Sequence, residues 1–235
     1  MGKEVSQRIS KNRILAALSG TEAKSFFEKL QVMHLSDKQV LYEQGDMIRR
    51  VYFPTSAVVS LVSVMEDGSS IEQATTGHEG FVGMSVFFGI DKSFAKAIVQ
   101  VPGEGLGMAA DVFRTMVKKM SPLTILLQRY AHALLAQMSR SGGCNSLHSA
   151  EERFARWLLA MQDRSRVDEL PLTQEFLGEM LGLRRPSVSL VAGKLQKAGL
   201  IRYSRGKVTI LNRPALEKAS CECYRILREE YDHLW

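Results

Sequence analysis

Short apolar runs separated by turn residues dominate the first half of the chain. The turns contain Gly and Asp, as in Gln44-Gly45-Asp46, Glu66-Asp67-Gly68 and the segment 102–105. Many short strands at such spacing are typical of an antiparallel sandwich or barrel. We therefore predict a small β-roll with helical flanks over residues 1–121. Its strands are expected at Gln39–Tyr42, Val51–Pro54, Ala57–Val64, Ile71–Ala74 and Ala97–Val101.

A long helix is predicted after the β-roll, over residues 122–148. Pro122 suits its first turn, where a missing N–H costs nothing. A helix about 39 Å long has to bury its apolar stripe, either against a twin helix or against the chain's own β-roll. Gly142 and Gly143 predict a bend in this helix. The expected dimer seam consists of Leu123, Leu127, Tyr130, Leu134 and Gln137.

The remaining residues, 149–235, predict two short helices joined by a tight turn and followed by a hairpin. Thr173 is a candidate cap for the first helix, and Gly182 allows the turn that follows it. The second helix begins near Arg185 and ends at Gly199. An alternating apolar pattern with a Gly-containing centre then predicts the hairpin. This order is that of a winged helix-turn-helix domain.

Positive charge is concentrated in this last domain. The 235 residues carry a net charge of only +6, with 45% hydrophobic and 24% charged residues, as in an ordinary globular protein. From Met180 to Leu216, however, the chain has eight Lys or Arg and no Asp or Glu. Such a surface is suited to binding a polyanion, because each cation that comes close to a phosphate releases a condensed counterion.

The outward face of the second helix and the tip of the hairpin supply the expected DNA contacts. An Arg in the N-terminal half of a recognition helix can form two hydrogen bonds to one guanine. We expect base contacts from Arg185, Ser189 and Leu190, and phosphate contacts from Thr173, Arg184, Ser187, Lys194, Arg205 and Lys207.

The layout resembles the Crp–Fnr superfamily of bacterial transcription regulators over nearly the whole chain. Glu79-Gly80-Phe81-Val82-Gly83, the long helix and LTQEFLGEMLGLRRPSVS carry the resemblance. It implies an α+β chain with an antiparallel, cyclic-nucleotide-binding-like β-roll of the jelly-roll type, a dimerisation helix and a C-terminal winged helix-turn-helix. It also implies a homodimer on a palindromic site in double-stranded DNA, with RNA polymerase as a further candidate partner.

The recognition helix departs from the family pattern. Where members open this helix with an Arg-Glu pair, this chain has Arg185 followed by Pro186, and Leu190 falls near the second recognition Arg. The contact of Arg185 with guanine carries over, whereas the contact of a carboxylate with cytosine does not. The preferred DNA site is therefore expected to differ.

The sensor pocket lacks the charges that a cyclic nucleotide needs. Where cyclic-nucleotide binders have Gly-Glu-Leu and an Arg-Ser or Arg-Ala pair, this chain reads Gly83-Met84-Ser85 and has no Arg between Arg50 and Arg114. Lys92 offers a positive charge, but it lacks the paired N–H donors with which an Arg guanidinium binds a phosphodiester. We expect no dependence on cyclic AMP, and a different small effector is the alternative. The candidate effector-pocket residues are Gly83, Met84, Ser85, Lys92 and Ser93.

Haem, iron–sulfur and zinc sites are not expected. An iron–sulfur cluster needs about four cysteine ligands, and the first 143 residues contain none. Single histidines such as His34 and His78 are more often surface or core residues than haem ligands. Cys221 and Cys223 cannot complete a tetrahedral zinc site alone, and only distant His233 accompanies them.

The sequence thus predicts a cytoplasmic, sequence-specific DNA-binding regulator of transcription. No apolar run approaches the roughly 20 residues of a membrane span, and the N-terminus lacks the apolar core of a secretory signal. No nucleophile elbow, P-loop or pairing of His with carboxylate indicates an enzyme. The alternative from another class is an adaptor that binds proteins through its winged helix, and weak salt dependence would distinguish it.

Overall fold

The computed structural model describes residues 3–234. Its N-terminal half combines short helices with antiparallel strands, as predicted. The helices are α1 Lys3–Ile9, α2 Arg13–Ala16, α3 Gly20–Phe27, α4 Met84–Phe87 and α5 Ala110–Lys119. The strands are β1 Gln31–Leu35, β2 Val40–Tyr42, β3 Arg50–Pro54, β4 Val58–Val64, β5 Ser70–Thr76, β6 Lys96–Val101 and β7 Gly103–Ala109.

The C-terminal half begins with one long helix and continues into a small helical domain with a three-stranded sheet. Its elements are α6 Ser121–Leu147, α7 Ala150–Ser165, β8 Glu169–Pro171, α8 Gln174–Leu181, α9 Arg185–Lys197, β9 Ile201–Ser204, β10 Lys207–Ile210, α10 Arg213–Ala219 and α11 Cys223–Asp232. The predicted α+β class, with a β-roll, a long helix and a C-terminal helix-turn-helix, is confirmed. Over residues 3–234, no helix is both long and apolar enough to cross a membrane.

Two antiparallel sheets form the β-roll, with strand orders β1-β7-β3 and β2-β6-β4-β5. Aromatic side chains from β3, from α5 and from the segment before α4 fill its interior. Phe81 stacks on Phe113 with ring centroids 4.9 Å apart, and Phe53 packs beside Phe81 at 5.2 Å. All three are almost completely buried. The sheets therefore enclose a packed core of side chains.

The predicted turn at residues 102–105 is wrong. Only Pro102 separates β6 from β7, and β7 begins at Gly103. The glycines that suggest a turn here instead let neighbouring segments of the chain approach β7 closely. A Cβ on Gly103 would lie 2.6 Å from the backbone nitrogen of Ala57, and one on Gly105 would lie 3.1 Å from the carbonyl oxygen of Phe53. The pattern also does not predict β1, which pairs with β7.

The long helix ends at a capped break. α6 continues as helix through Gly142 and Gly143, where a bend is predicted, and stops at Leu147. Ser149 then caps α7, since its hydroxyl accepts the Glu152 N–H while the Glu152 carboxylate accepts the Ser149 N–H. This reciprocal pairing satisfies two backbone donors at once. The chain therefore changes direction between α6 and α7, beyond the glycine pair.

The two halves of the chain share a buried contact. Val58 and Val62 of β4 lie in the same apolar cluster as Trp157 of α7. A Cβ on Gly182 would lie 3.0 Å from the Cδ1 atom of Ile71, so the turn after α8 sits directly against β5. The β-roll thus packs on the helix-turn-helix domain as well as connecting to it through α6.

Candidate nucleic-acid interface

α8 and α9 meet at a tight turn. The Thr173 hydroxyl oxygen accepts the Phe176 N–H at 3.3 Å, which confirms the predicted cap. Gly182 ends α8 with a φ of 60°, in the left-handed region that favours glycine. Gly178 makes room for the turn, because a Cβ there would lie 2.8 Å from the Leu183 carbonyl oxygen. The two helices can therefore approach as a helix-turn-helix requires.

α9 separates a buried face from an exposed one. Pro186 lies in its first turn, and Gly199 follows its end with a φ of 71°. Val188, Val191 and Leu195 are buried against the domain core. The three predicted base-contacting residues lie on the exposed face, and Leu190 is 63% exposed. The structure thus presents Arg185, Ser189 and Leu190 to solvent.

Gln174 is a surface residue that the sequence pattern does not single out. Its side-chain oxygen accepts the Ser189 hydroxyl at 2.8 Å, which joins the first residue of α8 to the face of α9. Ser189 therefore already has a partner, and the Gln174 amide nitrogen lies beside it. The signal in the sequence is its position directly after the Thr173 cap, where α8 begins.

The hairpin forms a wing beside the helices. Arg205 and Gly206 make its two-residue turn with φ angles of 52° and 74°, as in a type I′ turn. β10 pairs with β9 on one side and with β8 on the other. A groove of about 350 Å³ separates the wing from the helices. Its lining includes Thr173, Gln174, Arg185, Tyr203 and Arg205, together with the acidic Glu175.

Some predicted phosphate contacts have a carboxylate partner within the chain. Lys207 lies 2.6 Å from Glu169 of β8, and Lys194 pairs with Glu151 of α7. All four side chains are well exposed, so these pairs contribute little to stability. Within residues 3–234, Arg184, Arg185 and Arg205 form no ion pair with a carboxylate and are exposed.

The predicted effector-pocket residues lie around α4. Residues 83–85 are buried where α4 begins, with Gly83 at a φ of 117°. The Ser93 hydroxyl donates to the carbonyl oxygen of Ala95 at 2.5 Å. The Lys92 side chain is exposed. The one cation of the set therefore faces solvent, and effector binding at these residues stays a prediction.

A buried ion pair ties the β-roll to α7. Arg164 donates from Nε to Glu79 Oε1 at 3.0 Å, and the Gly77 N–H donates to the same carboxylate. His78 Nδ1 lies 3.0 Å from the Arg164 carbonyl oxygen. Burial lowers the pKa of His78. Beside this pair lies a cavity of about 290 Å³, whose charged lining includes Arg13, Arg156, Arg164, Arg166, Asp163 and Asp232.

The predicted dimer seam is wrong. All five of its residues are buried inside the same chain. The Tyr130 hydroxyl lies 2.7 Å from the Thr76 hydroxyl, and the Gln137 amide lies 2.6 Å from the hydroxyl of Tyr231 on α11. This stripe of α6 packs on the β-roll and α11, which is the alternative that the sequence left open. The residues concerned are Leu123, Leu127, Tyr130, Leu134 and Gln137.

A different face of α6 is exposed. Ile125 is 49% exposed and Leu135 is 63% exposed. Further along, Gly142 and Gly143 have open space where a Cβ would lie. The helix carries apolar residues on two faces, and spacing alone does not say which face the β-roll covers.

The prediction that only distant His233 accompanies Cys221 and Cys223 as a metal ligand is wrong. Cys144 and His148, at the end of α6, lie against Cys221 and Cys223. The Sγ atoms of Cys144 and Cys221 are 3.5 Å apart, although 77 positions separate them in the chain. The hydrogen bond between these thiols lowers the pKa of Cys144 to about 5 and raises the pKa of Cys221.

Known families match both halves of the chain. The model of a cyclic nucleotide-binding domain matches residues 32–120, and that of a Crp-like helix-turn-helix domain matches residues 152–219. α6 occupies the interval between the two matches. The family models therefore fall on the β-roll and on the domain that contains α8 and α9.

Curated relatives and a solved structure extend over most of the chain. The nitrogen fixation regulation protein FixK of Bradyrhizobium diazoefficiens is 21% identical over 220 residues, covering 89% of this chain and 90% of that protein. The fumarate and nitrate reduction regulatory protein of Escherichia coli is 25% identical over 193 residues, covering 76% and 74%. The structure of FixK2 from Bradyrhizobium japonicum shares the fold, with a TM-score of 0.67, 17% identity, and coverage of 82% of this chain and 98% of that one.

Proposed function

The chain belongs to the Crp–Fnr superfamily of DNA-binding transcription regulators, and we propose that it reads a palindromic operator as a homodimer without cyclic AMP. In this proposal, residues 1–121 form the sensor, residues 122–148 the dimerisation helix, and residues 149–235 the DNA-binding domain. The proposal rests on the groove between α9 and the wing, on the exposed face of α6 and on the charges of the β-roll.

The groove between α9 and the wing carries the proposal. Arg185 stands at its edge without a carboxylate partner in residues 3–234, and its fork can bond guanine O6 and N7. Ser189 and Leu190 are the other base contacts, with Gln174 beside Ser189. Thr173, Arg184, Ser187 and Arg205 contact phosphates on either side and set the register. Lys194 and Lys207 exchange their carboxylate partners for phosphates.

The dimer forms through the exposed face of α6. Ile125 and Leu135 are apolar residues in contact with solvent, and hydrophobic burial against a twin helix would remove both from water. Gly142 and Gly143 let the two helix backbones approach closely near the C-terminal end. A two-fold axis along this face sets the two α9 helices into successive major grooves about 34 Å apart.

The β-roll does not take a cyclic nucleotide in this proposal. A cyclic phosphodiester needs a buried cation with two donors, and residues 51–113 contain no Arg. Lys92 is exposed, and Lys96 pairs with Glu43 at 3.2 Å. The buried Glu79 carboxylate is already held by Arg164. The groups that would bind a phosphate and a ribose are therefore missing or in use.

A small effector of another kind is the second candidate. The observation that favours it is the cavity beside Arg164, because it lies where the β-roll, α7 and α11 meet. A ligand there would contact both halves of the chain. Its charged lining suits a small polar molecule with an anionic group.

The proposal is tested by selecting genomic DNA fragments with the purified full-length protein at physiological salt, without nucleotide. Enrichment of a two-fold symmetric motif with half-sites about one helical turn apart supports it. Enrichment that requires added cyclic AMP would overturn the effector part. Enrichment that requires a small-molecule extract would favour the second candidate. Weak binding that barely responds to salt would favour a protein adaptor.

A further inference from the structure

Four side chains of metal-binding type come together where the end of α6 meets the start of α11. Cys144 and His148 lie one turn apart at the end of α6, where the His148 N–H donates to the Cys144 carbonyl oxygen at 3.2 Å. Cys221 lies in the short link between α10 and α11, and Cys223 is the first residue of α11. The three cysteines are buried and free of disulfides. Two segments far apart in the sequence thus supply two ligands each.

The donor atoms are spaced for tetrahedral coordination. The Sγ atoms of Cys144 and Cys221 are 3.5 Å apart, and Cys223 Sγ lies 3.8 Å from His148 Nδ1. All four donor atoms lie within 4.8 Å of one another. A zinc ion bonded at about 2.3 Å to sulfur and about 2.0 Å to nitrogen keeps neighbouring ligands about 3.6–3.8 Å apart. Small shifts of these side chains are enough to enclose an ion.

The second nitrogen of His148 is held by a carboxylate. Nε2 lies 3.2 Å from Glu222 Oε2, while Nδ1 faces the thiols. Ligating histidines commonly donate their other ring N–H to a carboxylate, which fixes the tautomer and orients the ring.

Two buried arginines lie close enough to act on the thiols. Arg153 and Arg156 of α7 both interact electrostatically with Cys144. Each is 7% exposed, and each has a buried Nε atom with no hydrogen-bond partner among the described residues. A zinc ion with three thiolates and a neutral imidazole carries one net negative charge. The arginines compensate that charge, and their Nε–H groups can donate toward sulfur.

We propose that Cys144, His148, Cys221 and Cys223 bind one zinc ion, which joins the end of the dimerisation helix to the C-terminal helices. Four protein ligands leave no open position, so the site is structural rather than catalytic. Three soft thiolates and an imidazole favour zinc over magnesium or calcium. The ion braces the junction of α6 and α7, where the DNA-binding domain begins. The site does not depend on the proposed operator or on the absence of an effector.

Metal content of the purified full-length chain tests the proposal. We expect one zinc ion per chain, retained through purification under reducing conditions. Replacing zinc by Co²⁺ should give the d–d absorption of a tetrahedral site and a thiolate-to-cobalt charge-transfer band. Metal-free protein with no cobalt spectrum would overturn the proposal. A disulfide between Cys144 and Cys221 in protein purified under reducing conditions would also overturn the proposal.

Variants separate ligation from folding. Cys223→Ser should bind zinc much more weakly, and its cobalt-loaded form should lose the charge-transfer intensity of one thiolate. Glu222→Gln keeps all four ligands, so the protein should still fold while its zinc affinity falls about 10–100-fold in chelator competition. His132→Ala is the matched control, because His132 also faces a carboxylate, Glu230, but is exposed. Equal zinc affinity in Glu222→Gln and His132→Ala would contradict the role of Glu222.

Discussion

Trp157 donates its indole N–H to Glu72 with an Nε1···Oε1 distance of 2.9 Å. The donor lies on α7 of the DNA-binding half and the acceptor on β5 of the β-roll. Ser60 donates to the other carboxylate oxygen at 2.6 Å. Burial raises the pKa of Glu72 to about 7, although the nearby Arg156 and the hydrogen bonds lower it. One titratable group with a pKa near neutrality therefore lies within the contact between the two halves.

Stability should depend on this carboxyl group between acid and neutral pH. Because the folded pKa lies above the unfolded value of 4.5, the folded state holds a proton that the unfolded state has lost. The stabilisation is complete below the unfolded pKa and disappears as the pH rises through about 7. The free energy of unfolding should fall by roughly 3 kcal/mol relative to Glu72→Gln between pH 5 and 8. Denaturant unfolding at several pH values measures it.

The exposed Glu66 provides the control for this experiment. Glu66→Gln should leave the pH profile of the wild type unchanged. If Glu72→Gln also leaves that profile unchanged, Glu72 does not titrate in this range.

Arg185→Ala should relax sequence preference at one base pair in each half-site. The Arg185 guanidinium can donate two parallel hydrogen bonds to guanine, which alanine cannot. Each such contact discriminates against a wrong base by about 1–3 kcal/mol. Arg185→Lys should lose most of the same preference while it keeps the charge. Sequencing of DNA selected by each variant measures the effect. Arg225→Ala, on the exposed side of α11, is the control and should select the wild-type motif.

Lys207→Ala should weaken binding to all DNA sequences alike. A phosphate contact carries no base information, so its loss should reduce the salt slope by roughly 1 per subunit. Glu169→Gln provides the reverse change, because it removes the carboxylate that lies 2.6 Å from Lys207. That variant should bind all sequences more tightly. A loss confined to particular sequences in Lys207→Ala would contradict the phosphate role.

Local signals predicted the DNA-binding half well because its structure depends on neighbouring residues. The cap at Thr173, the glycine turn at Gly182 and the Arg-Pro start of α9 each act within a few residues. The same reasoning failed at Gly103, where glycine is required by the backbone of Ala57, just before β4. Its role depends on a contact with a distant part of the chain, which no local pattern contains.

The metal-binding cluster shows the same limit more strongly. Cys221 and Cys223 have no nearby ligand in the sequence, because Cys144 and His148 precede them by more than seventy positions. The return of α11 along α6 brings the two pairs together. Spacing rules that count ligands within one segment therefore do not predict this cluster.

Leu134 and Leu135 are neighbours in the sequence and point to different environments. Leu134 is 3% exposed in the core and Leu135 is 63% exposed on the proposed dimer face. Leu134→Ala should lower the free energy of unfolding by about 2–5 kcal/mol, because it leaves a cavity.

Leu135→Glu should instead separate the dimer, because it places two like charges at the contact between the helices. Its dimer dissociation constant should rise roughly 100-fold in analytical ultracentrifugation, while the unfolding of the monomer changes little. Ile90→Glu is the control, since Ile90 is 58% exposed and lies between α4 and β6 of the β-roll. If Leu135→Glu sediments as the wild type does, the exposed face of α6 does not form the dimer. Because palindrome binding requires two recognition helices, the variant should also bind half-sites and full sites with equal affinity.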